Sequence, residues 1–216
     1  MKNNKIRKMT MTGMLSAIAF VLMFFDFSVP LMPVFIKMDL SELPALVGSF
    51  ALGPLAGVVI CLVKNLLHLM KTSTGGVGEL SNFILGASFT FTAGMIYRYK
   101  KNKKMAVVGS VVGAVVMALI SVPSNYFLVY PVYTKFMPLE QIIGAYEAIN
   151  PNVNGLLSCL VMFNMPFTFV KAAFCVIITM LIYKRISPLI KGDILNPAPV
   201  GHKDNDALRG TRGTQK

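Results

Sequence analysis

Long apolar runs alternate with short polar connections along most of the chain. The runs cover residues 9–27, 43–52, 55–70, 80–97, 105–130 and 156–183. A helix needs about 20 apolar residues to cross a bilayer, and several of these runs reach or approach that length. The second and third runs are shorter and meet at Gly53-Pro54, where proline removes a backbone donor and a helix ends or restarts. The pattern predicts an all-α integral membrane bundle of six transmembrane helices; the alternative joins runs two and three into one kinked helix.

The distribution of basic residues favours six helices over five. Basic clusters lie at residues 2–8, at 98–104 and after 183. With six helices and a cytoplasmic amino terminus, all three clusters face the cytoplasm, as the positive-inside rule requires. Five helices would place one of these clusters outside. We therefore expect both termini to be cytoplasmic and the protein to cross the membrane several times.

Composition supports a membrane protein and changes how the charge is interpreted. Apolar residues make up 55% of the 216 residues, and the mean hydropathy of +0.64 exceeds that of most soluble domains. The net charge of +12 comes from the flanking clusters without any nucleic-acid-recognition motif, so we expect no nucleic-acid partner. Residues 1–191 are predicted to form the membrane domain, and the polar segment 192–216 a disordered cytoplasmic tail.

The polar connections on the outer side differ in length. Segment 131–155 is the longest outer connection and is suited to form a lid over a pocket. The tyrosines lie near the ends of the apolar runs or in this connection. That distribution fits the preference of an aromatic ring with a polar tip for the membrane interface.

Six polar or charged side chains interrupt or adjoin the third to sixth apolar runs: Lys64, Glu79, Asn82, Asn125, Asn164 and Lys171. Placing an ammonium group in hydrocarbon costs a few kcal/mol or more, so Lys64 and Lys171 should face a cavity or a partner. Amide groups that merely join neighbouring helices are the alternative for each position taken alone. Because the residues come from four runs, we expect them to converge on one polar-lined pocket.

Two further positions have open interpretations. Asp39 stands with Lys37 and Glu42 just before the second run. These charges form either a solvated cluster that caps a helix, for which Ser41 and Glu42 are suitable, or a polar contact at the mouth of the pocket. His68 lies near the outer end of the third run, where we expect a hydrogen-bonded or interfacial histidine rather than a ligand contact.

The sequence shows no catalytic or nucleotide-binding motif. The segment 75–78 is glycine-rich but lacks the Gly-Lys-Ser/Thr ending of a phosphate loop, and no zinc-protease or serine-hydrolase motif is present. The three cysteines lie in apolar runs without the spacing of a metal site. We therefore expect a protein that is not an enzyme and has no cofactor or metal. A stand-alone transporter, which usually shows internal repeats, and a lipid-modifying membrane enzyme remain as alternatives.

Small residues form one face of the first predicted helix. Gly13 and Ala17 are four positions apart, and Ser16 and Ala19 add to the same region. Small side chains let another helix approach closely. This face either packs inside the bundle or docks a separate subunit.

Several strings of the chain resemble a known family. They are Lys37-Met-Asp-Leu-Ser-Glu-Leu-Pro, Gly53-Pro-Leu-Ala-Gly, Lys64-Asn-Leu-Leu-His, Gly78-Glu-Leu-Ser-Asn-Phe and Asn164-Met-Pro-Phe with Lys171. Together they are similar to the substrate-binding S-components of energy-coupling factor (ECF) vitamin transporters, and most of all to the riboflavin-specific members. The similarity covers about residues 1–192.

The resemblance implies a fold, partners and a ligand. It implies six helices, cytoplasmic termini and a vitamin pocket near the outer face that outer loops close. Its partners would be a coupling transmembrane subunit and two ATPase subunits, which agrees with the lack of a nucleotide motif here. The family docks through small residues of the first helix, a role that would fall to Gly13, Ser16 and Ala17.

Riboflavin suits the predicted pocket, because its tricyclic ring needs apolar walls with a few polar groups. Under this resemblance, Asn125, Asn164 and Lys171 would bond the carbonyl and imide groups of the ring. The ribityl hydroxyls would meet Asp39, Lys64, Glu79 and Asn82. An S-component for a different vitamin is the alternative.

Overall fold

A computed structural model describes residues 2–33, 36–72 and 75–191. In chain order its elements are α1 (Lys2–Met23), β1 (Phe27–Ser28), β2 (Lys37–Met38), α2 (Glu42–Leu52), α3 (Pro54–His68), a 3₁₀ turn (Leu69–Lys71), α4 (Val77–Tyr99), α5 (Lys103–Ser124), a π-helical turn (Asn125–Val129), α6 (Tyr130–Tyr133), α7 (Leu139–Glu147), α8 (Gly155–Cys159), a second π-helical turn (Leu160–Asn164) and α9 (Met165–Lys191). The predicted tail, 192–216, lies outside the described residues.

Helices dominate the described residues, and most of them are apolar enough for a membrane. Five stretches are long and apolar enough to cross a bilayer by length and composition: Lys5–Met23, Pro54–Lys71, Val77–Tyr99, Lys103–Tyr133 and Gly155–Tyr183. The helix Glu42–Leu52 is apolar but shorter. The prediction of a helical membrane bundle is therefore confirmed.

The predicted break between the second and third runs is present at Gly53. Helix α2 ends at Leu52, Gly53 has a φ of 113°, and α3 begins at Pro54. Only glycine adopts this positive φ without strain, and proline suits the first helical position because its missing N–H has no helical acceptor there. The alternative of one long kinked helix is wrong.

The structure adds elements that the apolar runs did not predict. Helix α1 ends at Met23, and the segment after it forms a short antiparallel ladder that pairs Phe27 with Met38. The fold is therefore not purely α-helical. The outer connection also contains a helix, α7, whose Ile142 and Tyr146 are fully buried.

Two π-helical turns widen the long helices at positions that matter for the site. Asn125 begins the first turn, two residues after Pro123, and Asn164 ends the second, two residues before Pro166. Proline removes a hydrogen bond from the helical ladder, and a π-helical turn is one way in which a helix absorbs such a defect. Both asparagines therefore lie where the regular helix is interrupted.

The bundle has two main apolar clusters. One joins α2, α4, α5 and α9 and includes Leu46, Phe89, Met117 and Cys175. The other fixes the outer connection to the bundle through residues such as Ile142 and Leu160. Helix α1 packs against α2 and α3.

Candidate ligand-binding cavity

A cavity of about 190 Å³ lies where the β1–β2 ladder, α4, α5 and α9 meet. Its polar wall includes six of the seven predicted site residues: Asp39, Glu79, Asn82, Asn125, Asn164 and Lys171. Its apolar and aromatic wall includes Met23, Ile36, Leu85, Met117, Tyr130 and Phe167. The structure thus brings together side chains that are up to 132 positions apart, such as Asp39 and Lys171.

Lys64 is the predicted site residue that does not line this cavity. Its side chain is fully buried, and its ammonium group donates to Ser41 Oγ at 2.5 Å and to Glu42 Oε2. The expected contact with a ligand is corrected to an ion pair behind the wall. The physical reason is that Glu42, the first residue of α2, lies beside Lys64 of α3 and supplies the carboxylate that a buried ammonium group needs.

Lys171 and Asp39 form the charged part of the cavity wall. Lys171 Nζ lies 2.9 Å from Asp39 Oδ2 and 3.1 Å from Asn82 Oδ1. Asp39 also accepts from the backbone N–H of Ser41 at 2.8 Å. Burial alone would raise the pKa of Asp39, but the charges of Lys171 and Lys64 and the side-chain hydrogen bonds from Ser41 and Lys171 hold this pKa well below its usual range. Asp39 is therefore an ionised acceptor at physiological pH.

The two lysines and two carboxylates form one charge-balanced cluster. Besides the pairs already described, Lys171 Nζ lies 3.9 Å from Glu42 Oε1. Glu42 is fully buried, so the interpretation that it belongs to a solvated cluster capping a helix is wrong. Ser41 likewise makes no capping bond to the backbone of α2.

A second polar group joins α3 and α4 at the cavity wall. His68 Nδ1 lies 2.8 Å from Glu79 Oε1, and Thr72 Oγ1 donates to Glu79 Oε2 at 2.9 Å. The backbone N–H of Gly76 donates to Thr72 Oγ1 at 2.9 Å. His68 is hydrogen-bonded, as expected, and it also lines the cavity, which was not expected. Glu79 thus holds the 3₁₀ turn and the start of α4 together.

The asparagines of the two π-helical turns are also held by hydroxyl groups. Ser81 Oγ donates to Asn125 Oδ1 at 3.0 Å. Tyr146 Oη donates to Asn164 Oδ1 at 2.6 Å, and Tyr130 Oη lies 2.6 Å from Tyr146 Oη. Sequence analysis placed these tyrosines at the membrane interface and so missed their part in the site. A tyrosine at the end of an apolar run or in an outer connection gives no signal in the sequence that it turns inward.

Comparison with known proteins shows to which family the chain belongs. The family model for the ECF transporter, substrate-specific component, matches residues 7–183. The chain belongs to this family of S components. The resemblance seen in the sequence strings is therefore confirmed, and the family is one of transporter subunits.

Similar proteins cover nearly the whole of this S component. It is 35% identical over 191 residues to the riboflavin transporter RibU of Staphylococcus aureus (strain TCH60), which covers 88% of this chain and 95% of the relative. It is 30% identical to the riboflavin transporter FmnP of Bacillus subtilis (strain 168), over 87% of this chain and 95% of the relative. A solved structure of the S component of a bacterial ECF transporter matches with a TM-score of 0.69 and 33% identity, covering 87% of this chain and 99% of the other.

The predicted docking residues of this S component do not all share one surface. Gly13 and Ala17 are exposed on α1, and a Cβ atom added at Gly13 would meet nothing within 4 Å. Ser16 is 2% exposed and donates to the carbonyl of Thr12 at 2.8 Å. Ala19 is fully buried in the cluster with Ala45 and Ile60. The expectation that Ser16 belongs to an accessible face is corrected, because this residue lies on the side of α1 that packs inward.

Proposed function

We propose that this S component binds riboflavin at the outer face of a bacterial cell membrane and delivers it for ATP-driven uptake. The observation that carries the proposal is the cavity itself, which combines an apolar and aromatic wall with amide, carboxylate and ammonium groups. This combination suits a flat ring system with a polar edge and a hydroxylated chain. Support comes from the two relatives described above as riboflavin transporters.

In this proposal the cavity residues divide by the chemistry of the ligand. Asn125, Asn164 and Lys171 bond the polar edge of the ring. Asp39, Glu79 and Asn82 accept or donate hydrogen bonds to the ribityl hydroxyls. Lys64 keeps an indirect role, because it fixes Ser41 and Glu42 behind Asp39 and Lys171.

The proposed partners are the bilayer, a coupling transmembrane subunit and two ATPase subunits. The S component itself performs no reaction on its ligand and uses no cofactor. Gly13 and Ala17 would contribute to the surface that docks the coupling subunit, because they are small and exposed on α1. ATP hydrolysis by the partners then drives the release of riboflavin into the cell.

We further propose six membrane crossings with both termini in the cytoplasm. Helix α2 has 11 residues, or about 16 Å, which is short for a bilayer core. However, α2 begins at Glu42 near the cavity, and the turn after it approaches α4 closely: a Cβ atom at Gly94 would lie 3.0 Å from Pro54 Cα. Gly94 is five residues from Tyr99, at the end of α4 that leads into the basic connection. Helices α2 and α3 therefore both extend from the cavity toward the cytoplasmic end of α4.

A flavin titration tests the ligand. Detergent-purified protein should quench the fluorescence of added riboflavin with a sharp end point at one ligand per chain. Thiamine, which is cationic and lacks the dione edge, should not compete. No quenching by riboflavin at micromolar protein and ligand would reject the proposed ligand.

An uptake assay tests the partners. Cells that express this chain with a coupling subunit and its ATPases should accumulate labelled riboflavin. Replacing the catalytic glutamate of both ATPases should abolish accumulation, while binding to the purified S component stays unchanged. Accumulation that survives this change would favour a stand-alone transporter.

A further inference from the structure

A ring of three hydrogen-bonding side chains lies beside the cavity. Tyr130 Oη is 2.6 Å from Tyr146 Oη, Tyr146 Oη is 2.6 Å from Asn164 Oδ1, and Asn164 Nδ2 is 3.4 Å from Tyr130 Oη. All three residues are buried, with Tyr146 fully so. Tyr130 and Asn164 line the cavity, whereas Tyr146 approaches Asn164 from α7 in the outer connection.

The distances determine the direction of these hydrogen bonds. A hydroxyl group can both donate and accept a hydrogen bond. Tyr146 could therefore donate to the side-chain oxygen of Asn164 or accept from its side-chain nitrogen. A separation of 2.6 Å is normal for O–H···O and shorter than the usual range for N–H···O. The group that faces Tyr146 is therefore the carbonyl oxygen of Asn164, and the longer contact with Tyr130 falls on its nitrogen.

Tyr146 keeps its role as donor over the physiological pH range. Burial raises the pKa of Tyr146 far above its ordinary value, and the neighbouring Tyr130 raises it further. Its hydroxyl group is therefore protonated, and with its own proton given to Asn164 it accepts from Tyr130. Among the described residues, the Asn164 amide donates one hydrogen bond, to Tyr130, which leaves its second N–H for a ligand.

We propose that Tyr146 is a positioning residue that orients the Asn164 amide, so that an N–H group rather than the oxygen meets the ligand. The cavity then selects a hydrogen-bond acceptor at this point, and we assign it to one of the two carbonyl oxygens on the dione edge of riboflavin. This inference rests on the proposed function. It also links selectivity to the outer connection, since the orienting hydroxyl group belongs to α7.

Ligand analogues separate this role from a general effect on folding. We would measure the affinities of the wild type, Tyr146→Phe and Tyr130→Phe for riboflavin, 2-thioriboflavin and 4-thioriboflavin. A thiocarbonyl is a weaker acceptor than a carbonyl, so the wild type should bind one of the two analogues about fivefold or more weakly than riboflavin, as expected for a hydrogen bond of about 1 kcal/mol.

The variants should then differ in one ratio, the Kd for the weaker-binding analogue divided by the Kd for riboflavin. In Tyr146→Phe only the contact with Tyr130 remains, and because a hydroxyl group can both donate and accept, it permits either orientation of the amide, so the ratio for that analogue should fall toward one. Tyr130→Phe keeps the bond from Tyr146 to Asn164 and should keep the ratio, even where its affinity for all three ligands changes. A loss of packing alone would weaken the three ligands equally and leave the ratio as in the wild type.

Asn164→Asp provides a second test that does not depend on the folding of Tyr146→Phe. Aspartate still accepts from Tyr146 but carries no amide N–H. The ratio should therefore be close to one in this variant. An unchanged ratio in Tyr146→Phe or in Asn164→Asp would overturn the inference, as would equal binding of all three ligands by the wild type. Failure of the wild type to bind riboflavin would instead overturn the proposed function together with this inference.

Discussion

At the scale of single residues, the two buried lysines are stabilised by different partners. Lys64 pairs with Glu42 away from the cavity, whereas Lys171 pairs with Asp39 on its wall. An ammonium group without a carboxylate at this depth would be strongly unfavourable. The Lys64 pair is therefore needed whether or not a ligand is bound, while the Lys171 pair also presents polar groups to the cavity.

Removing one member of the inner pair should destabilise the protein more than removing both charges. Glu42→Gln and Lys64→Met each leave a buried charge with a lost partner, which typically costs about 3–5 kcal/mol. The double variant retains the balanced pair of Lys171 and Asp39, so much of this loss should be recovered. Thermal unfolding of the detergent-purified variants measures the effect. Losses that simply add in the double variant would show that the two side chains do not stabilise each other.

The carboxylate of Asp39 should contribute stability down to unusually low pH. Its pKa in the folded protein lies below the ordinary value of about 3.9, so the contribution is fully present above that value and is lost as pH falls below it. The difference in melting temperature between the wild type and Asp39→Asn should thus be constant from about pH 5 to 8. It should shrink only below about pH 4.

The matched control for Asp39 is Asp26. Asp26 forms a more exposed pair with Lys37 at 2.8 Å, and exposed pairs usually contribute less than about 1 kcal/mol. Asp26→Asn should therefore change the melting temperature little at any of these pH values. A large effect of Asp26→Asn, or a wild-type advantage over Asp39→Asn that is already lost near pH 6, would contradict this assignment.

At the scale of elements, the apolar runs predicted the long helices because their residues must avoid water over their whole length. The break at Gly53-Pro54 was predictable for a local reason, since a glycine suits the turn between two helices and a proline suits the first position of the next helix. The β1–β2 pairing and α7 were not predictable in this way. Both depend on contacts with the bundle, such as the buried Tyr146, and tertiary contacts leave no periodic signal in a short segment.

Close helix packing at Gly57 gives a prediction at this scale. A Cβ atom at Gly57 would lie 2.8 Å from Ser49 Cβ, 3.0 Å from Thr90 Cβ and 3.1 Å from the carbonyl oxygen of Ala45. These neighbours are backbone or Cβ atoms, which cannot rotate away. Gly57→Ala should therefore separate α2, α3 and α4 and lower the melting temperature, with a loss of about 1–3 kcal/mol as for other overpacked sites.

Gly144→Ala is the matched control for Gly57→Ala. Gly144 lies inside α7, and a Cβ atom there would meet nothing within 4 Å. Alanine is favoured over glycine in a helix by about 0.5–1 kcal/mol, so this variant should be as stable as the wild type or slightly more so. Equal destabilisation by the two substitutions would show that close helix contact is not the reason for glycine at position 57.

At the scale of the whole molecule, the site is where distant segments meet, and this limits what a sequence can predict. Polar side chains in apolar runs must face a cavity or a partner, so the inward orientation of Asn82, Asn125 and Lys171 was predictable from burial cost alone. The choice between cavity and partner was not. Lys64 obeys the same rule as Lys171 but faces Glu42, because the outcome depends on how α2 packs against α3.

The exposed small residues of α1 give the prediction that concerns the whole assembly. Replacing Ala17 by leucine adds bulk to the face of α1 that also exposes Gly13, and Ala17 is not one of the residues that line the cavity. If this face docks the coupling subunit, the variant should bind riboflavin with wild-type affinity but lose most of its ATP-driven uptake. Val111→Leu, at a similarly exposed apolar position on α5, is the control and should retain uptake.

Uptake that is equal in both variants would place the docking surface elsewhere. A loss of riboflavin binding by Ala17→Leu would mean that α1 supports the cavity rather than the interface. Binding and uptake therefore have to be measured on the same variants, because only their separation distinguishes a docking surface from a structural one.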